Sequence, residues 1–192
     1  MEAKVMQSEQ TIRVEAREEV QQLRPARPVD AGARASLQDI LQHHREWIGS
    51  GWEAGERADL HGADLHASDL RGTSLRDADL HDANLEGADL HDADLDGADL
   101  HGARLTAACL QQAFLHWADL HDADLRRADL RCADLREADL HGADLTEAAL
   151  EGADVRGADL SAARGLSAPM LAAVQSDVDT RLPTAAQRRD DA

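Results

Sequence analysis

Aromatic residues are scarce in this chain of 192 residues, where they make up 2% of a sequence that is 43% hydrophobic. There is no tyrosine, and the aromatic residues are Trp47, Trp52, Phe114 and Trp117. Ordinary cores rely on large aromatic side chains, so leucine and alanine must supply the buried volume here. A length of this order predicts one domain with tails.

Cysteine and long apolar runs are also rare. Cys109 and Cys132 are too few for a disulfide framework and favour a reducing cytosol. No stretch approaches the ~18 consecutive apolar residues of a membrane span. The N-terminal MEAKVMQSEQ lacks the apolar segment of a signal peptide. We therefore expect a cytoplasmic protein with no membrane partner.

The formal net charge of −18 argues against direct binding to nucleic acid. The sequence has no glycine-rich phosphate loop, nucleophile elbow or zinc signature. It also suggests no concave site that would shift the pKa values of a catalytic pair. We therefore predict a protein that is not an enzyme and that has no cofactor and no metal site.

A five-residue repeat fills the centre of the chain. From Leu60 to Leu160 every fifth residue is leucine except Val155, which makes 21 consecutive centres. Alanine precedes the centre by two residues in 19 repeats, and aspartate precedes it by one in 15. Five residues advance about 500° on an α-helix, and an odd period alternates between the faces of a flat strand. Each repeat must therefore contain its own corner, so that the chain coils with alanine and leucine inside.

This Ala-Asp-Leu-X-X pattern resembles the pentapeptide-repeat family, whose members form a right-handed four-sided β-helix. The resemblance covers roughly residues 57–164 and implies an all-β solenoid of about five coils with a short helical cap at each end. The implied organisation is a tail over 1–35, a capping helix and loop over 36–56, the β-helix over 57–164, a C-terminal cap over 165–183 and a tail over 184–192.

The predicted core is the column of repeat centres. Its members include Leu60, Leu80, Leu100, Leu110, Leu120, Leu140 and Leu160. Ser36 and Ser167 are predicted to N-cap the two end helices. In the N-terminal tail, residues 11–23 are compatible with a helix, and we expect this tail to be disordered alone or to dock as a helix.

Residues twenty apart should share a face if four repeats make one coil. A histidine column then follows one set of centres: His61, His81, His101, His121 and His141. Duplication of a twenty-residue unit explains this column, and a pH-responsive or metal-attracting stripe is the alternative. A flat column does not gather four ligands at one point, so we predict no metal site there.

The acidic exterior permits two interpretations. One is that a repeat protein needs a charged surface to stay soluble. The other is DNA mimicry, because the resemblance includes acidic family members that bind DNA gyrase or topoisomerase IV and protect them from drugs or toxins. The predicted mimic surface comprises Asp79, Asp89, Asp94 and Asp99. The competing function is a non-catalytic scaffold or spacer that docks through its N-terminal tail and an aromatic patch at the middle of the rod.

The middle of the rod breaks the pattern. Phe114 and Trp117 should point outward, and with Arg104 and Arg136 they form a predicted surface for a protein partner or a second copy. The alternative is a drifted repeat whose aromatic rings pack on each other and on arginine stems. A homodimer is expected through this surface or through a capping end.

Overall fold

The computed structural model describes residues 36–183. It contains helix α1 (Leu37–Gly49), the repeats, and helix α2 (Ala168–Ala172). Within these residues each repeat contributes one bridged β residue, from Asp59 onward, and no longer strand is present. The predicted tails and the predicted helix over 11–23 lie outside the described residues.

The bridges are parallel and join residues twenty apart, so four repeats make one coil. Asp59 pairs with Asp79, for example, and Asp79 with Asp99. The coil therefore has four sides, each with the usual parallel spacing of about 4.8 Å. We number the faces by their first bridged residue: face 1 starts at Asp59, face 2 at Asp64, face 3 at Asp69 and face 4 at Ser74.

A tight corner ends every repeat. In each corner the N–H of the first residue of the next repeat motif, usually alanine, donates to the carbonyl of the repeat centre three residues earlier, as from Ala63 to Leu60 at 3.0 Å. The second corner residue has a φ between +52° and +75° in all 21 repeats. Positive φ at this position, but not at the first corner residue, is the pattern of a type II turn. Glycine adopts it freely, whereas each other residue type bears about 1 kcal/mol of strain.

The interior is a column of leucine and alanine. Every repeat-centre leucine from Leu70 to Leu145 is fully buried, and Leu60 and Leu160 are 4% and 2% exposed at the ends. Each buried leucine contributes about 1.5–3 kcal/mol. The column therefore stabilises the fold without any aromatic residue in its interior.

Helix α1 covers the first coil. Ser36 is its N-cap and forms a capping box with Asp39. Leu37, Ile40 and Leu41 pack against the leucine column. Residues at that spacing lie on one side of a helix, which explains why this amphipathic segment closes the end of the rod.

The other end is closed by α2 and the chain that follows it. Ser167 accepts a hydrogen bond from the Met170 N–H as the N-cap. Gln175 and Arg181 then pair with Asp154 and Asp159, so the cap continues the ladder as an incomplete coil. No helix within residues 36–183 is long and apolar enough to cross a membrane.

Candidate partner-binding surface

The repeated aspartate has a structural role that the sequence analysis missed. Wherever Asp or Asn precedes the centre, its side-chain Oδ1 accepts a hydrogen bond from the backbone N–H two residues later. Asp119 and His121 form this bond at 3.1 Å. It is an Asx turn, which satisfies an N–H at the corner. The charge of the rod is thus partly a consequence of how its corners are built.

Arginine neutralises many of these aspartates on faces 2, 3 and 4. Arg126 follows the face 2 centre and holds Asp124 through Nε at 2.8 Å and Nη2 at 2.6 Å. The same clamp joins Arg131 to Asp129, and that hydrogen bond lowers the pKa of Asp129 to about 2. Bidentate pairs of this kind hold both charges in a fixed geometry.

Face 1 has histidine after five of its six repeat centres, whereas each other face has arginine at that position on at least one of its coils. It consists of residues 59–62 and the equivalent residues of each later coil, and these positions contain no lysine or arginine. Its acids are Asp59, Asp79, Asp82, Asp99, Asp119, Asp122, Asp139 and Asp159. Two arginines from outside face 1 pair with its aspartates near the ends of the rod. Arg57 lies 3.5 Å from Asp79, and Arg181 lies 3.1 Å from Asp159.

The predicted histidine column lies on face 1, where it forms stacked pairs. His61 stacks on His81 with ring centroids 4.8 Å apart, and His101 stacks on His121 at 3.9 Å. His141 instead contacts the hydroxyl of Ser161 at 3.0 Å. The column is therefore divided into local contacts and is not a uniform stripe.

Three of these histidines contact the aspartate of their own repeat, and Nδ1 of His61 lies 3.2 Å from Oδ1 of Asp59. The other two contacts are shorter. Nδ1 of His81 lies 2.6 Å from Asp79, and Nδ1 of His121 lies 2.9 Å from Asp119. Both carboxylates favour the imidazolium form, so each hydrogen bond raises the pKa of its histidine. Face 1 therefore loses negative charge more readily on mild acidification than unperturbed histidines would allow.

The four predicted mimic residues do not form one surface. Asp79 and Asp99 are neighbours on face 1, but Asp89 lies on face 3 and Asp94 on face 4. Asp94 is also paired with Arg76 at 3.2 Å. The prediction was wrong in this grouping because it followed an acidic run along the sequence, whereas the coil distributes such a run around the rod.

The predicted aromatic surface is smaller than expected. Phe114 lies on face 4 and is 49% exposed. Trp117 stacks on His116 with ring centroids 3.5 Å apart, so the imidazole covers part of its ring. The His116 N–H donates to Asp96 of the preceding coil, which replaces the Asx turn that Phe114 cannot form.

The two predicted arginine partners are placed differently. Arg136 is on face 4, one coil beyond His116, and is bonded to Asp134. Arg104 is on face 2, where it pairs with Glu86 at 2.8 Å. Including Arg104 in the aromatic surface was wrong, because faces 2 and 4 are opposite sides of the four-sided coil.

A cluster of potential metal ligands was also not foreseen. One ligand atom from each of Asp79, His81 and Asp99 lies within 4.8 Å of the others. These residues belong to two adjacent coils of face 1. A flat column does not gather four ligands at one point, but two adjacent coils bring three ligand atoms together.

The profile of pentapeptide repeats matches the chain at residues 58–97, 83–122, 98–136 and 123–161. The protein belongs to the pentapeptide-repeat family. Proteins of this family form right-handed quadrilateral β-helices. They are generally non-enzymatic proteins that act in structure and binding.

Solved structures of similar proteins come from several sources. HetL of Nostoc sp. strain PCC 7120, a protein involved in the regulation of heterocyst differentiation, is 32% identical over 71% of this chain and 66% of its own, with a TM-score of 0.39. Rfr23 of the cyanobacterium Cyanothece 51142 is 28% identical over 55% of this chain and 64% of its own, with a TM-score of 0.39. The chain thus spans slightly less than two thirds of either protein.

QnrB1, a plasmid-mediated fluoroquinolone resistance protein, is 17% identical over 65% of this chain and 62% of its own. Its TM-score is 0.46. No curated protein sequence matches the chain.

Proposed function

We propose that this protein is a non-catalytic, cytoplasmic binding protein that docks face 1 onto a positively charged protein surface. One observation carries the proposal. The carboxylates of Asp99, Asp119, Asp122 and Asp139 have no arginine or lysine partner among residues 36–183. Arginine clamps neutralise the other faces in part, so the accessible negative charge is concentrated on one side of the rod.

The density of this charge supports DNA mimicry as the mechanism. The eight acids of face 1 span five coil spacings, which is about 24 Å at 4.8 Å per coil, or roughly 3 Å per charge. A single strand of duplex DNA carries one charge per ~3.4 Å. The linear charge of face 1 is therefore close to that of one strand of the duplex, and about half that of both strands together.

A type II topoisomerase is the most concrete candidate partner. The support is the acidic family members that bind DNA gyrase or topoisomerase IV, together with the charge of face 1. In this proposal, face 1 enters the DNA-binding groove of the enzyme and competes with duplex DNA there. Protection against a drug or toxin, or inhibition of supercoiling, would then follow from that competition.

Charge-neutral variants on two faces test the proposal. The triple variant Asp99→Asn, Asp119→Asn and Asp139→Asn removes three charges from face 1 and keeps an Oδ1 acceptor for each Asx turn. The matched control replaces Asp124, Asp129 and Asp134 by asparagine, which changes the net charge equally on the arginine-clamped faces. Binding to gyrase, competition with duplex DNA and supercoiling are measured at rising salt.

We expect the face 1 variant to bind at least tenfold more weakly than the control and the wild type to lose affinity as salt rises. Equal weakening by both variants would show that only net charge matters. Absence of gyrase binding at low salt would remove the topoisomerase as the partner, and a panel of other basic proteins would then test the broader proposal.

Assembly as a scaffold is a second candidate, and the exposure of Phe114 favours it. A phenylalanine that is 49% exposed between Asp94 and Asp134 on a charged face is typical of an interface anchor. Size-exclusion chromatography with light scattering measures the oligomeric state of the full chain and of the Phe114→Asp variant. If the chain assembles through face 4, the variant should lose that assembly.

A further inference from the structure

We propose that Asp79, His81 and Asp99 form a binding site for a divalent transition-metal ion of the zinc type. Their ligand atoms already lie within 4.8 Å of one another. Zinc binds histidine nitrogen and carboxylate oxygen at about 2.0–2.2 Å. Shifts of less than about 1 Å in each side chain would therefore bring all three atoms to an ion placed between them.

The backbone holds the three residues in fixed relative positions. Asp79 and Asp99 are a bridged pair on adjacent coils, and the Leu80 N–H donates to the Asp99 carbonyl at 2.7 Å. The Asx turn of Asp79 fixes the backbone of His81 beside it. Sites on rigid elements need little reorganisation to bind, which favours a useful affinity even with three ligands.

The chemistry of the ligands selects the ion. One imidazole and two carboxylates suit zinc, cobalt, nickel or copper, whereas magnesium prefers oxygen ligands alone. All three side chains are half-buried at the surface, so an ion and its remaining water ligands have access. The stacked ring of His61 places a second imidazole beside His81.

The site is specific to one position in the column. His121 forms the same bond to its own aspartate as His81 does, at 2.9 Å. Within residues 36–183, however, only the Asp79 cluster has three such ligand atoms together. The ring of His121 lies flat against His101 at 3.9 Å. His121 is therefore a matched control for His81.

One neighbouring cation opposes the ion. Nη2 of Arg57 lies 3.5 Å from Oδ2 of Asp79, and its Nη1 donates to the carbonyl of Asp77 at 3.2 Å. A metal ion at Asp79 would be repelled by this guanidinium. Removing its charge should therefore strengthen metal binding, which is an effect in the opposite direction from the loss of a ligand.

Isothermal titration calorimetry of the untagged full chain with Zn²⁺ in a non-coordinating buffer tests the site, with Mg²⁺ as the reference ion. We expect one saturable Zn²⁺ site in the wild type and no comparable Mg²⁺ binding. His81→Gln should weaken the site at least tenfold, and His121→Gln should change it less than twofold. Arg57→Gln should tighten it a few-fold, and thermal melts confirm that each variant is folded.

Two outcomes overturn the proposal. Equal weakening by His81→Gln and His121→Gln would show that any histidine of face 1 binds the ion, without a built site. Absence of saturable Zn²⁺ binding by the wild type and by Arg57→Gln would show that the three residues do not bind metal. The proposal is independent of the partner of face 1, because it is measured with the metal alone.

Discussion

The imidazole Nδ1 of His44 accepts a hydrogen bond from the backbone N–H of Ala58 at 3.1 Å. In every later repeat the N–H of the equivalent residue donates to the carbonyl of the repeat centre three residues earlier. At the start of the rod, a side chain of α1 thus replaces the acceptor of the corner. His44 is fully buried and stacks on Trp47, with ring centroids 5.7 Å apart.

This contact should make the N-terminal cap sensitive to acid. Burial, aided by the positive charge of Arg57, lowers the pKa of His44 from 6.5 to about 4. The unfolded chain therefore binds a proton between pH 6.5 and pH 4 that the folded chain does not, so stability falls as pH falls through that window. From 1.36 kcal/mol per pKa unit, we expect a loss of about 2 kcal/mol between pH 7 and pH 5.

Urea titrations at the two pH values measure this loss. The control is His44→Asn, which keeps an acceptor but does not titrate, and the difference in pH dependence between the two proteins isolates His44. The carboxylates of Asp69 and Asp129 have pKa values lowered to about 2 and remain ionised in this window. The same pH dependence in both proteins would mean that the pKa of His44 does not differ between the folded and unfolded chain, and it would contradict the predicted effect of burial.

Much of the fold follows from the sequence because one rule repeats. A leucine every fifth residue needs a corner in each repeat, and the helix caps at Ser36 and Ser167 end the pattern where it stops. The His44–Ala58 bond could not be predicted, since it joins residues fourteen apart in sequence through one side-chain atom. The helical pattern does place His44 on the apolar side of α1, three residues from both Leu41 and Trp47, and its neighbour His43 off that side and exposed.

The candidate surface was only partly predictable. Counting twenty residues from His61 gives the histidine column, and the same count from Asp79 would have separated Asp89 and Asp94. The aspartates were interpreted as surface charge because charge is visible in sequence. Their hydrogen bonds to the N–H two residues later depend on corner geometry, although the recurrence of aspartate just before each corner was a usable signal.

Substitutions inside and outside the rod should differ by several kcal/mol. Leu110→Asp places an unpaired carboxylate in the fully buried column and should destabilise the solenoid by several kcal/mol. Asp119→Asn keeps the acceptor for the His121 N–H and should change the unfolding free energy by less than ~0.5 kcal/mol. Asp119→Ala removes that acceptor and should cost about 1 kcal/mol. Denaturant titrations that rank the three variants in another order would contradict the assigned roles.

Binding of a cationic partner to face 1 should weaken between about pH 7 and pH 5.5. The hydrogen bond that His121 donates to the Asp119 carboxylate raises the pKa of His121, so this histidine gains its positive charge at a higher pH than a free imidazole. Because that pKa is raised on folding, protonated His121 stabilises the folded chain at low pH. This stabilisation is lost as pH rises through the raised pKa. Affinity is measured across the window for the wild type and for His121→Gln, and an equally steep pH dependence in both would exclude a role for His121.

Phe114 and Trp117 should respond differently to substitution. Phe114→Asp restores the residue that most repeats have before the centre, and it should leave the melting temperature nearly unchanged while abolishing partner capture or dimerisation. Trp117→Asp removes the stacking on His116 and should lower the melting temperature by a few degrees. A large loss of stability in Phe114→Asp would identify Phe114 as a packing residue and would exclude the interface.

Two glycines with similar backbone conformations should tolerate alanine to different degrees. Gly55 has a φ of +78°, and a Cβ there would overlap the carbonyl of His43 and lie 2.6 Å from the backbone nitrogen of Trp47. Gly62 has a φ of +60°, and a Cβ there would meet open space. Both substitutions bear about 1 kcal/mol of left-handed strain.

Only Gly55→Ala must also push the loop away from α1, because backbone atoms cannot move aside as a flexible side chain can. We therefore expect Gly55→Ala to cost at least about 1–2 kcal/mol more than Gly62→Ala. The loop that Gly55 belongs to leads into Ala58, so separation from α1 should also break the His44 bond and expose Trp47. Urea titration and tryptophan fluorescence measure the two effects together. Equal losses in the two variants, with no change in fluorescence, would show that strain alone acts and that the cap does not depend on close contact at Gly55.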